Sequence, residues 1–479
     1  MDAFNNFVST VDDVLWSWPL IILIFACGIW LTVRTRCLQV RHLGKALKFM
    51  VKNEEDGEGE VTSFGALCTA LSATIGTGNI VGVGSAICAG GPGALLWMEV
   101  AAFFGMATKY AEGLLAIKYR TIDSDGHVLG GPFYYIERGM GKKWTWLAKA
   151  FALFGCLAGA LGIGTITQIN GITSAAQNFF DPNASHVLFT LAAGTASETP
   201  ITLTTVIVGL LVTFFAALVI IGGIKRIARV TEFVVPFMAV IYFICGLLIL
   251  ICNVTKIPDA VVQICVGAFT PKAVAGGVLG VTIKTAIQKG VARGIFSNEA
   301  GLGSAPIAAA AAQTKEPVRQ GLVTMTGTFL DTIVICTITG LSIVITGAWL
   351  PEHGLSGAAV TMYAFQNALP FPAQVCSFLL MLCLMFFAFT TILGWDYYGE
   401  RCCEYLTGRK QSAVRVYRWV YILAVLIGPY LTVSVVWTVA DVFNGLMAIP
   451  NIIALIVLSG VVAKETKDYF DREKSGKLK

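Results

Sequence analysis

Two stretches place polar, backbone-exposing residues where an apolar run would otherwise cross a bilayer. The first, LSATIGTGNIVGVGSAI (71–87), carries Gly76, Gly78 and Gly82 together with Thr77 and Asn79. The second, GIFSNEAGLGSAP (294–306), carries Gly294, Gly301 and Gly303 beside Ser297, Asn298 and Glu299, and runs into a series of alanines. Lipid offers no water to stray backbone groups, so a broken helix at membrane depth belongs where it is buried in protein or lines a wet cavity. Each break creates two kinds of ligand. The half-helix that starts there presents free N–H groups and a partial positive charge, which suit a carboxylate. The half-helix that ends there presents free carbonyls, which suit an ammonium group or a dehydrated Na⁺. A zwitterionic amino acid matches both. Glycines at 76, 78, 294 and 301 let a small ligand touch the backbone directly.

The elements that must hold these breaks follow from composition. The chain has 479 residues, 56% hydrophobic and only 13% charged, with a mean hydropathy of +0.74. A soluble chain carries about twice that charged fraction. An apolar span needs roughly 20 residues, and such runs recur along the sequence. The reading is an all-α polytopic membrane protein of eleven spans: 14–33, 62–88, 94–117, 146–177, 202–222, 230–252, 278–312, 321–348, 374–398, 417–433 and 435–462. The net charge of +5 does not point to nucleic acid, because the basic residues gather in loops beside spans.

Lysine and arginine placement orients the spans. The first thirteen residues have neither, and neither do 179–200 and 349–372. The segment after the first span holds Arg34, Arg36, Arg41, Lys45, Lys48 and Lys52, and 222–230, 401–418 and the tail are also basic. The expected topology is an N-terminus outside and a C-terminus in the cytoplasm of the cell (plasma or inner) membrane. The first span lacks the basic flank and small-residue site of a cleaved signal peptide. Thirteen cysteines lie mostly in spans or on the cytoplasmic side, so no disulfide framework is expected.

The breaks fall in the second and the seventh span. Each therefore opens a five-span block, 62–252 and 278–462, and an odd number of spans inverts the second block relative to the first. The remaining segments are 1–61 (the extra helix and a cytoplasmic amphipathic stretch), an outer loop at 253–277 and a cytoplasmic tail at 463–479. Interrupted segments at matching positions of inverted halves point to a secondary transporter's midplane site. No catalytic or zinc motif and no phosphate-binding loop supports an enzyme or ATP drive. A channel would line its pore with repeated rings. A sensor derived from a transporter stays open. GCLAGALGIG (155–164) is read as helix packing.

At the level of motifs, GTGNIVGV…AGGPGALLWM (76–98), GGPFYYIERGMG (130–141) and RGIFSNEAGLGSAPIAAAAAQT (293–314) resemble the alanine or glycine:cation symporter family over nearly the whole chain. The resemblance implies a leucine-transporter-type five-plus-five inverted repeat with one extra N-terminal helix. It also implies Na⁺-coupled uptake of a small neutral amino acid, alanine or glycine, with no organic cofactor. It places Gly76, Thr77, Gly78 and Asn79 against substrate in the first break, and Ile295, Phe296, Ser297 and Asn298 in the second. Phe296 and Trp395 would wall the pocket. For Na⁺, it implies the hydroxyls of Thr390 and Thr391 with the carbonyls of Ser72 and Ile75, oxygen ligands that suit a hard cation.

Other polar residues in spans need a role of their own. Gln168 and Asn170 are each read as a substrate ligand or a tie between helices, the ligand role falling more to Gln168 than to Asn170. Lys109 and Glu112, three apart on one helix, are read as an ion pair. Lys284, Lys289 and Arg293 are expected to face an outer vestibule. Asp331 and Asp441 have no evident partner, and a proton carrier among them would make the transporter proton-coupled. The four histidines fall in loops or interfacial segments, which argues against a histidine relay across the membrane.

Overall fold

Apolar runs interrupted by glycine produce long helices with a few local breaks. The computed structural model describes residues 2–16, 18–54, 57–191, 199–270, 283–431 and 433–477. Among them, eight helices are long and apolar enough to cross a membrane, or nine when the bent pair Ser63–Thr74 and Gly78–Gly90 is one span. The chain is an all-α, multi-pass membrane protein. These helices overlay nine of the expected spans. The other two are represented by shorter pieces: Trp18–Arg34 for the first, and Ile283–Asn298 with Ala305–Ala310 for the seventh. Lys272 and the 278–282 start of the seventh expected span lie outside the described residues.

Helix also extends into segments expected as loops. Gly223–Cys252 starts seven residues before the expected span at 230. Its first turns carry Lys225, Arg226 and Arg229, and Arg226 Nη1 donates to the Leu218 carbonyl at 2.6 Å. A basic residue of the following helix thus satisfies a carbonyl in the last turn of Leu203–Ile220. The expected outer loops contain Ile257–Phe269 and Ala358–Ala368. Both are apolar but too short to cross. Ile257–Phe269 lies against the start of the Gly93–Lys118 helix, where Trp97 Nε1 donates to the Ala268 carbonyl at 3.2 Å.

The helices that flank the breaks approach closely because small residues face them. Gly155, Gly159 and Gly164 sit against the Ala373–Leu406 helix, where a Cβ on each would lie 2.6 Å from Cys402 Sγ, 2.8 Å from Tyr417 Oη (the next helix) and 2.5 Å from Trp395 Cβ respectively. That is the packing role read for 155–164. Ser63–Thr74 begins under a side-chain cap, with Thr62 Oγ1 accepting from the Gly65 amide at 2.9 Å. Removing such a cap costs about 1 kcal/mol.

Candidate functional site

The first break starts where helical hydrogen bonding stops. Ile75 donates to the Leu71 carbonyl, the last such bond of its helix, and adopts an extended ψ of 90°. The next amides turn to side chains: Gly76 N–H donates to Asn79 Oδ1 at 3.0 Å and Thr77 N–H to Gln168 Oε1 at 3.4 Å. The carbonyls of Ser72 and Ala73, which those amides would reach in a continued helix, are released. The chain resumes as a wide π-helical turn over Gly78–Gly82 and a helix over Val83–Gly90, bent by 48° from the first half. Thr361 Oγ1 on the short Ala358–Ala368 helix donates to the Ile80 carbonyl at 2.9 Å. The Thr77 hydroxyl is buried and has no hydrogen-bond partner among the described residues.

In the second break Glu299, Gly301 and Gly303 all have positive φ, at 55°, 91° and 79°. Glycine adopts that region freely, whereas a glutamate there costs on the order of 1–2 kcal/mol. Glu299 is held by its side chain: Trp395 Nε1 donates to Oε1 at 2.9 Å and Ser304 Oγ to Oε2 at 2.5 Å. The amides of Gly301 and Gly303 both donate to Glu112 Oε1 at 3.2 Å. Asn451 Nδ2 donates to the same oxygen at 2.7 Å and to the Gly301 carbonyl at 2.9 Å. Tyr135 Oη donates to Asn451 Oδ1.

The two breaks touch. A Cβ on Gly78 would lie 3.4 Å from Phe296 Cδ1 and 3.4 Å from Ser297 Cα. Below this contact Asp331, fully buried, joins both breaks from the π-helical stretch Phe329–Cys336. Asn79 Nδ2 donates to its Oδ1 at 2.8 Å, and Ser297 Oγ and Thr332 Oγ1 donate to its Oδ2 at 2.9 and 2.7 Å. Asn298 Nδ2 bonds Thr332 Oγ1 at 3.0 Å. Asn79, Ser297 and Asn298 thus lie at the breaks but aim their side chains at this stretch. Ile295 is buried, and its carbonyl takes the Glu299 amide at 2.8 Å.

The two threonines separate. A Cβ on Gly76 would lie 2.6 Å from Thr391 Oγ1 and 3.3 Å from Gln168 Oε1, so the Thr391 hydroxyl stands at the first break. Both hydroxyls also bond back to their own helix, Thr391 Oγ1 donating to the Phe387 carbonyl at 2.9 Å and Thr390 Oγ1 to those of Phe386 and Phe387 at 3.0 Å, and Thr390 Oγ1 faces away from the break toward Met238 Sδ at 3.6 Å. Ser72 lies in the same seam, where a Cβ on Gly394 would come within 2.7 Å of Ser72 Oγ. Substituting Thr391 by Val should therefore raise the Na⁺ concentration for half-maximal uptake several-fold, and Thr390→Val should move it little. Uptake measured against Na⁺ concentration decides, and equal shifts in the two variants would refute the assignment.

The whole chain is similar to known proteins. A model described as the sodium:alanine symporter family matches residues 1–479. An uncharacterized transporter of Haemophilus influenzae is 53% identical, covering 98% of this chain and 97% of its own length. The sodium/alanine symporter AgcS of Methanococcus maripaludis is 46% identical, with 98% of each chain covered. The probable sodium/glutamine symporter GlnT of Bacillus subtilis is 36% identical, covering 99% of this chain and 92% of its own. The chain belongs to the sodium:alanine symporter family.

Within this family of sodium-coupled amino-acid carriers, several site residues escape a reading by sequence. Lys109 and Glu112 do not pair. Glu112 Oε1 is engaged by the second break, and Lys109 Nζ is buried with no hydrogen-bond partner among the described residues. Asp441, read as having no partner, accepts from Arg293 Nη2 at 3.3 Å. Arg293 also lies over the Phe296 ring, 5.4 Å from its centroid. Asn170 is a tie between helices, donating to the carbonyls of Ile166 and Gly428 at 2.9 Å. Thr332, Thr361 and Asn451 carried no signal beyond being polar in an apolar context.

Proposed function

We propose that this chain imports a small neutral amino acid, alanine or glycine, together with Na⁺ by alternating access. In this reading eleven spans form a first helix and two inverted five-span blocks, 62–252 and 278–462, with the N-terminus outside and the C-terminus in the cytoplasm. Substrate lies between the two breaks. Its carboxylate faces the start of the Gly78–Gly90 half-helix, near the Thr77 hydroxyl and Gln168. Its ammonium group faces the carbonyls at Ile295–Asn298. Na⁺ takes the released carbonyl of Ser72, that of Ile75, and the Thr391 hydroxyl; Thr390 serves through its backbone and helix position.

The observation that carries this reading is the contact of the breaks at Gly78, Phe296 and Ser297, with the Thr77 hydroxyl left unpartnered beside it. Phe296 and Trp395 bound the space for a side chain. Trp395 is fully buried, and its indole N–H on Glu299 fixes the ring, which makes a rigid wall. Shrinking either aromatic leaves a cavity that its surroundings fill only in part. In Trp395→Ala, binding of alanine or glycine should weaken relative to leucine or methionine by about 1–3 kcal/mol, the range that small differences in side-chain size command. Competition by an amino-acid panel against labelled alanine tests this, with Trp30→Ala as control. An unchanged ranking in both Phe296→Ala and Trp395→Ala would place the pocket elsewhere.

A proton-coupled carrier is the second reading. It is favoured by Asp331, a buried carboxyl group in contact with both breaks. A Bacillus subtilis relative, 35% identical, is named a putative sodium/proton-dependent alanine carrier protein.

A further inference from the structure

Two segments far apart in sequence and rich in lysine and arginine enclose a cavity. It lies between the end of the Trp18–Arg34 helix with its following turn and the C-terminal helix Ser459–Lys474, and has a volume of about 300 Å³. Arg34, Arg36, Arg41, Lys467 and Lys474 line it against only Asp471 and Glu473, so five cations face two carboxylates, an excess of three. Glu473 is moreover engaged by Lys45. None of Arg36, Lys467 and Lys474 forms an ion pair among the described residues. Burial, and then the charges of Lys45 and Arg41, hold His42 below the usual imidazole value. Gathering like charges around one cavity is unfavourable unless an anion joins them.

The turn that supplies Arg36 is itself held at a cost. Arg36 and Cys37 are consecutive non-glycine residues with φ of 58° and 52°, and such backbone persists where surroundings over-determine it. Residues close to the lining positions Arg34 and Arg41 in sequence are apolar and exposed. Ile29, Trp30, Val33 and Val40 are 44%, 45%, 65% and 63% exposed, which is lipid-facing surface in a membrane protein. The Arg34 guanidinium lies 4.9 Å from the Trp30 ring centroid. A tryptophan at the edge of an apolar span marks the headgroup level.

We propose that this cavity binds the phosphate of an anionic phospholipid, with the headgroup among Arg36, Arg41, Lys467 and Lys474 and an acyl chain along Trp30 and Val33. The assignment rests on the membrane placement of the chain and is independent of the transport reading. A free phosphate ion shares the headgroup chemistry but makes no use of the apolar residues. Basic pockets at the membrane surface select anionic lipid in this manner, each charge contributing about 1 kcal/mol, or roughly fivefold in affinity.

The test uses the full chain purified in detergent and titrated with phosphatidylglycerol, phosphatidylcholine or inorganic phosphate. Retained lipid is read by native mass spectrometry, and the midpoint of thermal unfolding is read in parallel. Phosphatidylglycerol should be retained and should raise the midpoint, while phosphatidylcholine should do neither. Arg36→Gln and Lys467→Gln should each weaken retention about fivefold and the double variant about 25-fold, while Lys467→Arg keeps it. Both positions are exposed, and the lipid-free midpoint shows whether either variant harms the fold itself. Equal retention of the two lipids, or wild-type retention by the double variant, would overturn the proposal. Equal protection by inorganic phosphate would make the cavity a soluble-anion site and overturn the lipid assignment.

Discussion

Replacing Asp331 by Ala should lower amino-acid uptake, normalised to folded protein in the membrane, on the order of a hundredfold. Asp331 accepts from Asn79, Ser297 and Thr332, and its removal leaves three buried donors without that acceptor. Each unsatisfied buried donor costs about 1–3 kcal/mol. Two donors lost from the closed arrangement of the breaks would account for a factor of a hundred, since about 1.4 kcal/mol is tenfold. The effect is functional because Asn79 and Ser297 belong to different breaks, so the carboxylate sets their relative position. Asp331→Asn separates two roles. It keeps an acceptor oxygen for Asn79 but removes the ionisable group. Substantial Na⁺-driven uptake in Asp331→Asn would identify Asp331 as a positioning residue. A loss as complete as in Asp331→Ala, with a changed pH profile of the residual uptake, would favour the proton-coupled reading. Near-normal uptake in both variants would show that the link between the breaks is dispensable.

Glu112→Ala should act chiefly on stability. Its Oε1 atom receives two backbone amides of the second break and the Asn451 amide. The amides of Gly301 and Gly303 belong to buried residues, so without Glu112 they would stay unsatisfied, at about 1–3 kcal/mol each. The substitution also leaves buried Lys109 with one fewer neighbouring carboxylate. The expected result is a marked fall in the thermal midpoint of the purified protein and in the yield of monodisperse material. Glu112→Gln retains one acceptor oxygen and should fall between the variant and the parent. An Ala variant as stable as the parent would mean that the break satisfies its backbone in another way.

How much of this was legible in the chain depends on distance. Both breaks could be read from glycines and small polar residues inside apolar runs, because that composition is local and has few other uses in lipid. The long helices were legible from the same runs, and 155–164 read correctly as packing. Partners were not legible across hundreds of residues. Asn79 and Asp331 meet because two spans pack, and nothing near either residue announces it. The spacing of Lys109 and Glu112 suggested a pair, but two glycine amides that the break leaves without helical acceptors take the same carboxylate oxygen. Thr390 and Thr391 differ by one helical step of about 100°, which sends one hydroxyl to the break and the other to Met238. The basic stretch before residue 230 read as a loop, yet its charges sit on a helix whose stem continues into the span and can reach the interface.

The measurement that bears most directly on the central claim is uptake of labelled alanine into proteoliposomes under separately imposed ion gradients. An inward Na⁺ gradient at equal pH on both sides should drive accumulation above equilibrium, with tolerance of moderate changes in external pH. Thr391→Val should need more Na⁺ for the same rate. Full accumulation driven by a proton gradient in Na⁺-free buffer, unchanged by Thr391→Val, would contradict the account.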